Sequence, residues 1–309
     1  MNEIPPGANP QLLDRYIREQ ALPPEFLATA DRHYRPLAKW LAAQRRADAA
    51  LFVGINGAQG TGKSTLSEVL KIYLEDVHGL ATAVLSIDDF YLTRAERKQL
   101  ATNVHPLLLT RGVPGTHDIA LARTTIARLK SLGSGQHIKL PHFDKAADDR
   151  APENEWKLFT GPTRVIILEG WCVAAKAEPA ARLSRPVNAL EAEEDPDARW
   201  RTYVNRQLRE VYSPLFLELD LLIFLQAPSF EAIYRWRSEQ EAKLRDRLGT
   251  TAIETRVMDE AALARFIQHY ERITRNNLET LPVQADAVLI LDQDHRVKET
   301  RYRKSQWIK

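Results

Sequence analysis

Five short apolar runs punctuate the chain: Leu51-Phe52-Val53-Gly54-Ile55, Ala83-Val84-Leu85-Ser86-Ile87, Val165-Ile166-Ile167-Leu168, Leu221–Leu225 and Ala287–Leu291. Each has the length of a strand buried on both faces. Between them the apolar positions change to helical spacing. Leu66, Val69, Leu70, Tyr73, Leu74 and Val77 form one such stripe, and Gly79 is placed to stop it. A second helix is predicted up to about Leu132, where Gly133-Ser134-Gly135 ends it, and a third from Trp200 to Tyr212. Ser229 caps a long charged helix to about Leu248, with Gly249 beyond it. Residues 250–280 repeat the pattern, with Leu263, Phe266, Ile267 and Tyr270 spaced for burial.

Strand–helix alternation of this kind predicts an α/β fold with a five-stranded, mainly parallel, doubly wound sheet. Residues 1–48 carry a partial helical stripe (Leu27, Tyr34, Leu37, Trp40 and Leu41, behind Pro23-Pro24) and read as a helical cover on a main domain of residues 49–309. The basic, alternating end from Arg296 to Lys309 reads as an edge strand. Residues 176–200 are rich in Ala, Pro, Glu and Asp. They read as an exposed, partly helical insertion, with Glu193-Glu194-Asp195-Pro196-Asp197 as a solvated turn.

Between the first strand and its helix lies Gly57-Ala58-Gln59-Gly60-Thr61-Gly62-Lys63-Ser64, followed by Thr65. It fits the phosphate-binding loop G-x-x-x-x-G-K-[ST] without a mismatch, in the strand-to-helix setting that gives the pattern meaning. Its glycines let backbone N–H groups turn toward a phosphate, and the helix points its positive end at the same place. Lys63 is expected on the β- and γ-phosphates of a nucleotide, and Ser64 on Mg²⁺. The plain alternative is a Gly-rich turn that binds nothing. The second strand runs into Asp88-Asp89-Phe90-Tyr91, outside the carboxyl end where open parallel sheets bind ligands. An acid there reads as a general base for a substrate hydroxyl, against the alternative of solvated acids capping a helix. Glu169 ends the third strand, the usual place for a second Mg²⁺ contact, where Asp is commoner.

Composition narrows the function classes. The 309 residues include 43 basic and 41 acidic side chains, too even a balance to argue for a nucleic-acid partner on charge alone, and none is expected. The single cysteine, Cys172, cannot form an internal disulfide, so a reducing compartment is expected. The start is acidic and Pro-rich without an apolar signal core, and no apolar run could span a bilayer; a cytoplasmic protein is expected.

The loops of residues 88–150 cluster acids, bases and histidines around Gly and Pro, as a pocket for a small polar or anionic substrate would. His105, His137 and His142 read as structural or surface residues. On the charged helix of residues 229–249, Arg237, Glu241 and Arg245 share one face. They read as a lid carrying an arginine to a transferring phosphoryl group, or as an exposed salt-bridged helix.

Four motifs in order then give a resemblance: Ser86-Ile87-Asp88-Asp89-Phe90-Tyr91-Leu92-Thr93; Arg111-Gly112-x-Pro114-Gly115-Thr116-His117-Asp118; Leu140-Pro141-x-Phe143-Asp144-Lys145 with Asp149-Arg150; and Glu169-Gly170-Trp171-Cys172. With Tyr234-Arg235-Trp236-Arg237 and Gln240-Glu241, the chain resembles the plant-type D-glycerate 3-kinase family over about residues 50–295. It is more distantly similar to uridine, phosphoribulose and pantothenate kinases. The resemblance implies a P-loop kinase using ATP and Mg²⁺. In it, Asp88 matches the acid that uridine kinases use as base. Asp118 matches an acid that touches the acceptor hydroxyl in related kinases, so the two compete, with Asp88 favoured. Asp144 and Arg150 match a motif that shapes the substrate pocket, although Phe143 replaces its tyrosine. Tyr91 and Lys145 belong to the same acceptor-side motifs, and Arg237 matches a lid arginine. An anionic acceptor would be gripped by Arg111, His117 and Arg150, with D-glycerate the first choice. A nucleoside or a pantothenate-like alcohol is the rival acceptor. A regulatory nucleotide-binding protein without an acceptor is the rival class. The sequence leaves the oligomeric state open.

Overall fold

The computed structural model describes residues 10–45, 48–248 and 259–303. Among the described residues, ten strands occur in chain order: β1 (Leu51–Gly57), β2 (Thr82–Ser86), β3 (His137–Leu140), β4 (Phe143–Asp144), β5 (Asp149–Arg150), β6 (Lys157–Thr160), β7 (Val165–Gly170), β8 (Leu221–Gln226), β9 (Ala287–Leu291) and β10 (Val297–Tyr302). Six of them form the main sheet in the order β10-β9-β8-β1-β7-β2. The five apolar runs are its parallel strands, and β10 pairs antiparallel to β9 at the edge. The parts of the predicted lid and edge strand that include Gly249 and residues 304–309 lie outside the described residues.

Strand β1 is buried along its whole length, which explains its lack of polar alternation. Val53 and Ile55 face the layer built by the P-loop helix Lys63–Asp76 and the helix Arg35–Ala43, through Leu66, Leu70, Leu37 and Leu41. Leu27, part of the predicted stripe, is instead 40% exposed. Phe52 faces the opposite layer, in which the helices Ile119–Lys130 and Glu260–Thr280 contribute Ile126, Leu129, Tyr270 and Ile273.

The other strands lie outside the sheet. β3 pairs with β6 as a ribbon, and β4 with β5 as a short hairpin. The segment, which the sequence placed among the loops of residues 88–150, folds back on itself and lines the same cavity as the carboxyl ends of β2 and β7.

The acidic insertion is partly helical and largely exposed, as expected, including Glu193, Glu194, Pro196 and Asp197, but two of its acids depart from that reading. Glu191 and Asp195 are buried, at 1% and 0% exposure. Asp195 accepts from the Trp200 and Arg201 backbone N–H groups and pairs with the Arg201 guanidinium at 2.9 Å. Arg272 of the C-terminal helix pairs with Glu191 at 2.6 Å and with Glu178 at 3.0 Å. Acid-rich sequence normally signals solvent, but here two arginines from elsewhere draw the acids inward and satisfy them.

Candidate active site

The carboxyl ends of β1, β2 and β7 open into a cavity of about 850 Å³. The P-loop forms one wall. Gly60 (φ 79°) and Gly62 (φ 90°) take left-handed backbone, which admits glycine at little cost. The helix starts directly after them at Lys63. The Lys63 ammonium donates to the Ala58 carbonyl at 3.1 Å, and the Thr61 hydroxyl donates to the same oxygen at 2.8 Å. Burial pushes Lys63 below its ordinary pKa, opposed by Glu169 and Asp88. Ser64 Oγ donates to Glu169 Oε1 at 2.9 Å. Glu169, at the end of β7, is raised above the usual carboxylate range by burial, with Lys63 and Ser64 pulling the other way. Gln59 also lines the cavity. Thr65 follows on the first turn of the helix, beside Tyr16 of the helix Pro10–Glu19.

The facing wall begins at Asp88. Ser86 Oγ accepts from its backbone N–H and opens a short 3₁₀ turn there. Tyr91 Oη donates to Asp88 Oδ1 at 2.8 Å, and Lys145 Nζ donates to Oδ2 at 2.8 Å. Burial pushes this carboxyl up, but Lys145 and Tyr91 together pull harder and hold it below its ordinary value. Asp89 accepts from the Phe143 backbone N–H at 3.2 Å and bonds His142 Nδ1 at 3.0 Å. Burial nonetheless leaves its carboxyl raised. Arg111 reaches the cavity while paired to Asp148 and lying over the Phe143 ring. Asp144 also lines the wall, where its Oδ1 caps the Ala146 and Ala147 N–H groups of the hairpin turn.

Arg237 closes the mouth from the helix Phe230–Leu248, beside Gly60. Its guanidinium donates to Gln240 at 2.8 Å and to Glu241 at 2.6 Å. The helix is salt-bridged along one face, as one reading of its sequence expected, and that face lies beside the P-loop. The Arg245 side chain lies outside the described residues.

Three expected site residues stand behind the wall. His117 is 5% exposed; it stacks on Tyr91 at 4.6 Å, and its Nδ1 bonds Tyr212 Oη at 2.7 Å. Burial lowers its pKa to about 4, so it is neutral at physiological pH and offers an anion no charge. Asp118 caps the helix Ile119–Lys130 by accepting from the Leu121 N–H at 2.9 Å. Its other oxygen accepts from Arg150 at 3.2 Å. Arg150 also donates to the Tyr91 carbonyl, so the Asp118–Arg150 pair braces the turn that carries Asp88.

Other cavity residues had carried no predicted role. Tyr270, read only as a buried position, lines the cavity and donates to the Arg111 carbonyl at 3.3 Å. It packs so closely on Gly112 (φ 137°) that a Cβ there would come 2.1 Å from its hydroxyl. Trp171 supports the same corner through Nε1 on the Gly112 carbonyl at 3.0 Å. His142 and Lys157 also reach the cavity. Their signal was present only as scattered His and Lys, since nothing local says which way a ribbon will fold.

No family model matches the chain. It is 33% identical over 246 residues to the uncharacterized kinase mug58 of Schizosaccharomyces pombe, covering 75% of this chain and 83% of that protein. It is 32% identical over 204 residues to the chloroplastic D-glycerate 3-kinase of Arabidopsis thaliana, covering 63% of this chain but only 42% of the plant enzyme. Its fold is similar to the solved D-glycerate 3-kinase of Cryptococcus neoformans, with a TM-score of 0.69 at 25% identity, over 87% of this chain and 96% of that one. With the P-loop, the parallel sheet and the cavity in place, the chain belongs to the P-loop kinase family that includes D-glycerate 3-kinase and its fungal relatives.

Proposed function

We propose that the protein transfers the γ-phosphoryl group of ATP to a hydroxyl of a small anionic acceptor, with D-glycerate the preferred candidate. One arrangement carries this reading. Lys63 and Ser64 stand on one wall of a single cavity, and the ionised Asp88 stands on the other. Phosphoryl transfer asks a protein mainly for positioning and charge stabilisation, and a strong base is not required. Asp88 would accept the acceptor's proton. Lys63 would hold the phosphates, and Arg237 would add charge once it exchanges Glu241 for the nucleotide. Of Arg111, His117 and Arg150, Arg111 is the one that lines the cavity, and it would meet the acceptor's anionic end.

The donor atoms of Ser64 and Glu169 suit Mg²⁺, which favours oxygen ligands and is often held by one carboxylate together with substrate phosphates. When bound, Mg²⁺ would neutralise phosphate charge. The two D-glycerate 3-kinase relatives support the choice of acceptor class. The test is a panel of D-glycerate, pantothenate and uridine with purified protein and ATP-Mg²⁺, read as ADP formed. D-Glycerate should raise turnover most. Equal turnover with and without every acceptor would instead indicate a nucleotide-binding protein without an acceptor site.

A further inference from the structure

Lys145 occupies the turn between β4 and β5. Its own side chain is 63% exposed, yet it ends on Asp88. The hairpin beneath it is fixed from several sides. Arg97, 1% exposed, donates to the Asp148 carbonyl at 2.7 Å and pairs with its carboxylate at 3.0 Å. Phe143 is buried and its N–H is bound by Asp89. Asp149 accepts from the Arg94 N–H at 3.2 Å. A well-anchored base therefore carries a long side chain to one oxygen of Asp88, while Tyr91 holds the other.

An exposed Lys–carboxylate pair alone contributes little to stability. Its value here is geometric. Two donors, one on each oxygen, fix the plane of a carboxylate yet leave lone pairs for a third donor. That vacancy is the one an acceptor hydroxyl needs.

Building on the kinase reading above, we propose that Lys145 is a positioning residue for the reaction, holding Asp88 oriented so that the acceptor hydroxyl finds a prepared carboxylate. In the step it serves, the acceptor O–H bond breaks and its proton passes to Asp88. The oxygen's electron pair forms the new O–P bond. The bond from the γ-phosphorus to the bridging oxygen breaks, and its pair leaves with ADP. As Asp88 gains the proton its attraction for Lys145 falls, and the ammonium is released beside the new phosphoryl group.

The experiment is a double-mutant cycle with Lys145→Met and Asp88→Asn, with Lys145→Arg as the conservative variant, in the D-glycerate-dependent assay. Lys145 is on the surface of a well-anchored turn, so Lys145→Met should melt within a degree or two of wild type; Lys145→Gln serves if it does not. Lys145→Met is expected to lower kcat by about tenfold or more while ATP affinity, measured by calorimetry, changes less than about twofold. Lys145→Arg should recover part of the loss. In the Asp88→Asn background, Lys145→Met should change kcat by less than about twofold, because it acts through the missing carboxylate. Equal losses in both backgrounds, or a rise in acceptor KM at unchanged kcat, would show direct contact with substrate and overturn the proposal while leaving the kinase reading intact. Full activity in Asp88→Asn alone would overturn both the base assignment and the positioning role.

Discussion

The two walls of the cavity are built in different ways. The nucleotide wall is mostly local: Gly57 to Ser64 are contiguous, and Lys63 and Thr61 bond to the Ala58 carbonyl within the same turn, although Ser64 reaches Glu169 across 105 positions. The acceptor wall is assembled from distant pairs. Lys145 and Asp88 are 57 positions apart, His142 and Asp89 are 53 apart, and Arg111 and Asp148 are 37 apart. A contiguous loop can be carried unchanged from one protein to another, whereas a wall of paired charges can change specificity by exchanging partners.

The sharpest break in this comparison is at the loop. Lys63→Ala should lower turnover by at least about a hundredfold, as loss of a preorganised charge does, without altering the melting temperature much. Turnover within threefold of wild type at saturating ATP and Mg²⁺ would remove the P-loop from the chemistry.

Behind the acceptor wall, His117 should be visible in stability. Its folded pKa of about 4 lies below the ordinary 6.5, so between those values the unfolded chain binds the extra proton. Stability is therefore full above about pH 6.5 and falls as pH drops toward 4, by up to roughly 3 kcal/mol from this group. Urea midpoints at pH 7 and pH 5 should draw apart less in His117→Gln than in wild type. Equal separation would clear His117 of any part in acid sensitivity.

Glu169→Gln should raise the Mg²⁺ needed for half-maximal turnover by roughly tenfold. An unchanged metal requirement would make Glu169 a structural partner of Ser64 only. The smallest effect is expected at Asp118. Asn also caps helices well, and the partly exposed pair with Arg150 is a weak one, so Asp118→Asn should cost under about 1 kcal/mol and leave acceptor KM within twofold. A collapse of kcat there would move the base from Asp88 to Asp118.

The difference between the walls also accounts for what the sequence could tell. Strands such as Val165–Gly170 are buried on both faces, so their apolar runs could mean little else. The P-loop could be read because its function is contiguous. Asp88 could be read because strand ends are where such sheets bind ligands. His117 and Arg150 could not be placed, because whether a polar residue faces a cavity or its back depends on how loops far apart in sequence pack. Tyr270 shows the same difficulty from the other direction: its helical spacing announced burial, and burial against Gly112 is compatible with reaching the cavity by its hydroxyl edge. Asp195 and Glu191 were misread because composition reports charge but not the arginine waiting for it.

Arg272 and Tyr270 lie on the same helix, two residues apart, one tethering the acidic insertion and the other forming the cavity's edge. The two segments therefore form a single unit of exchange. A chimera that received residues 176–200 from a relative without the helix Glu260–Thr280 would strand a buried guanidinium, and the disturbance would reach the acceptor side within one helical turn. Insertion and helix have to be transplanted together, and homologous recombination between relatives would meet the same constraint.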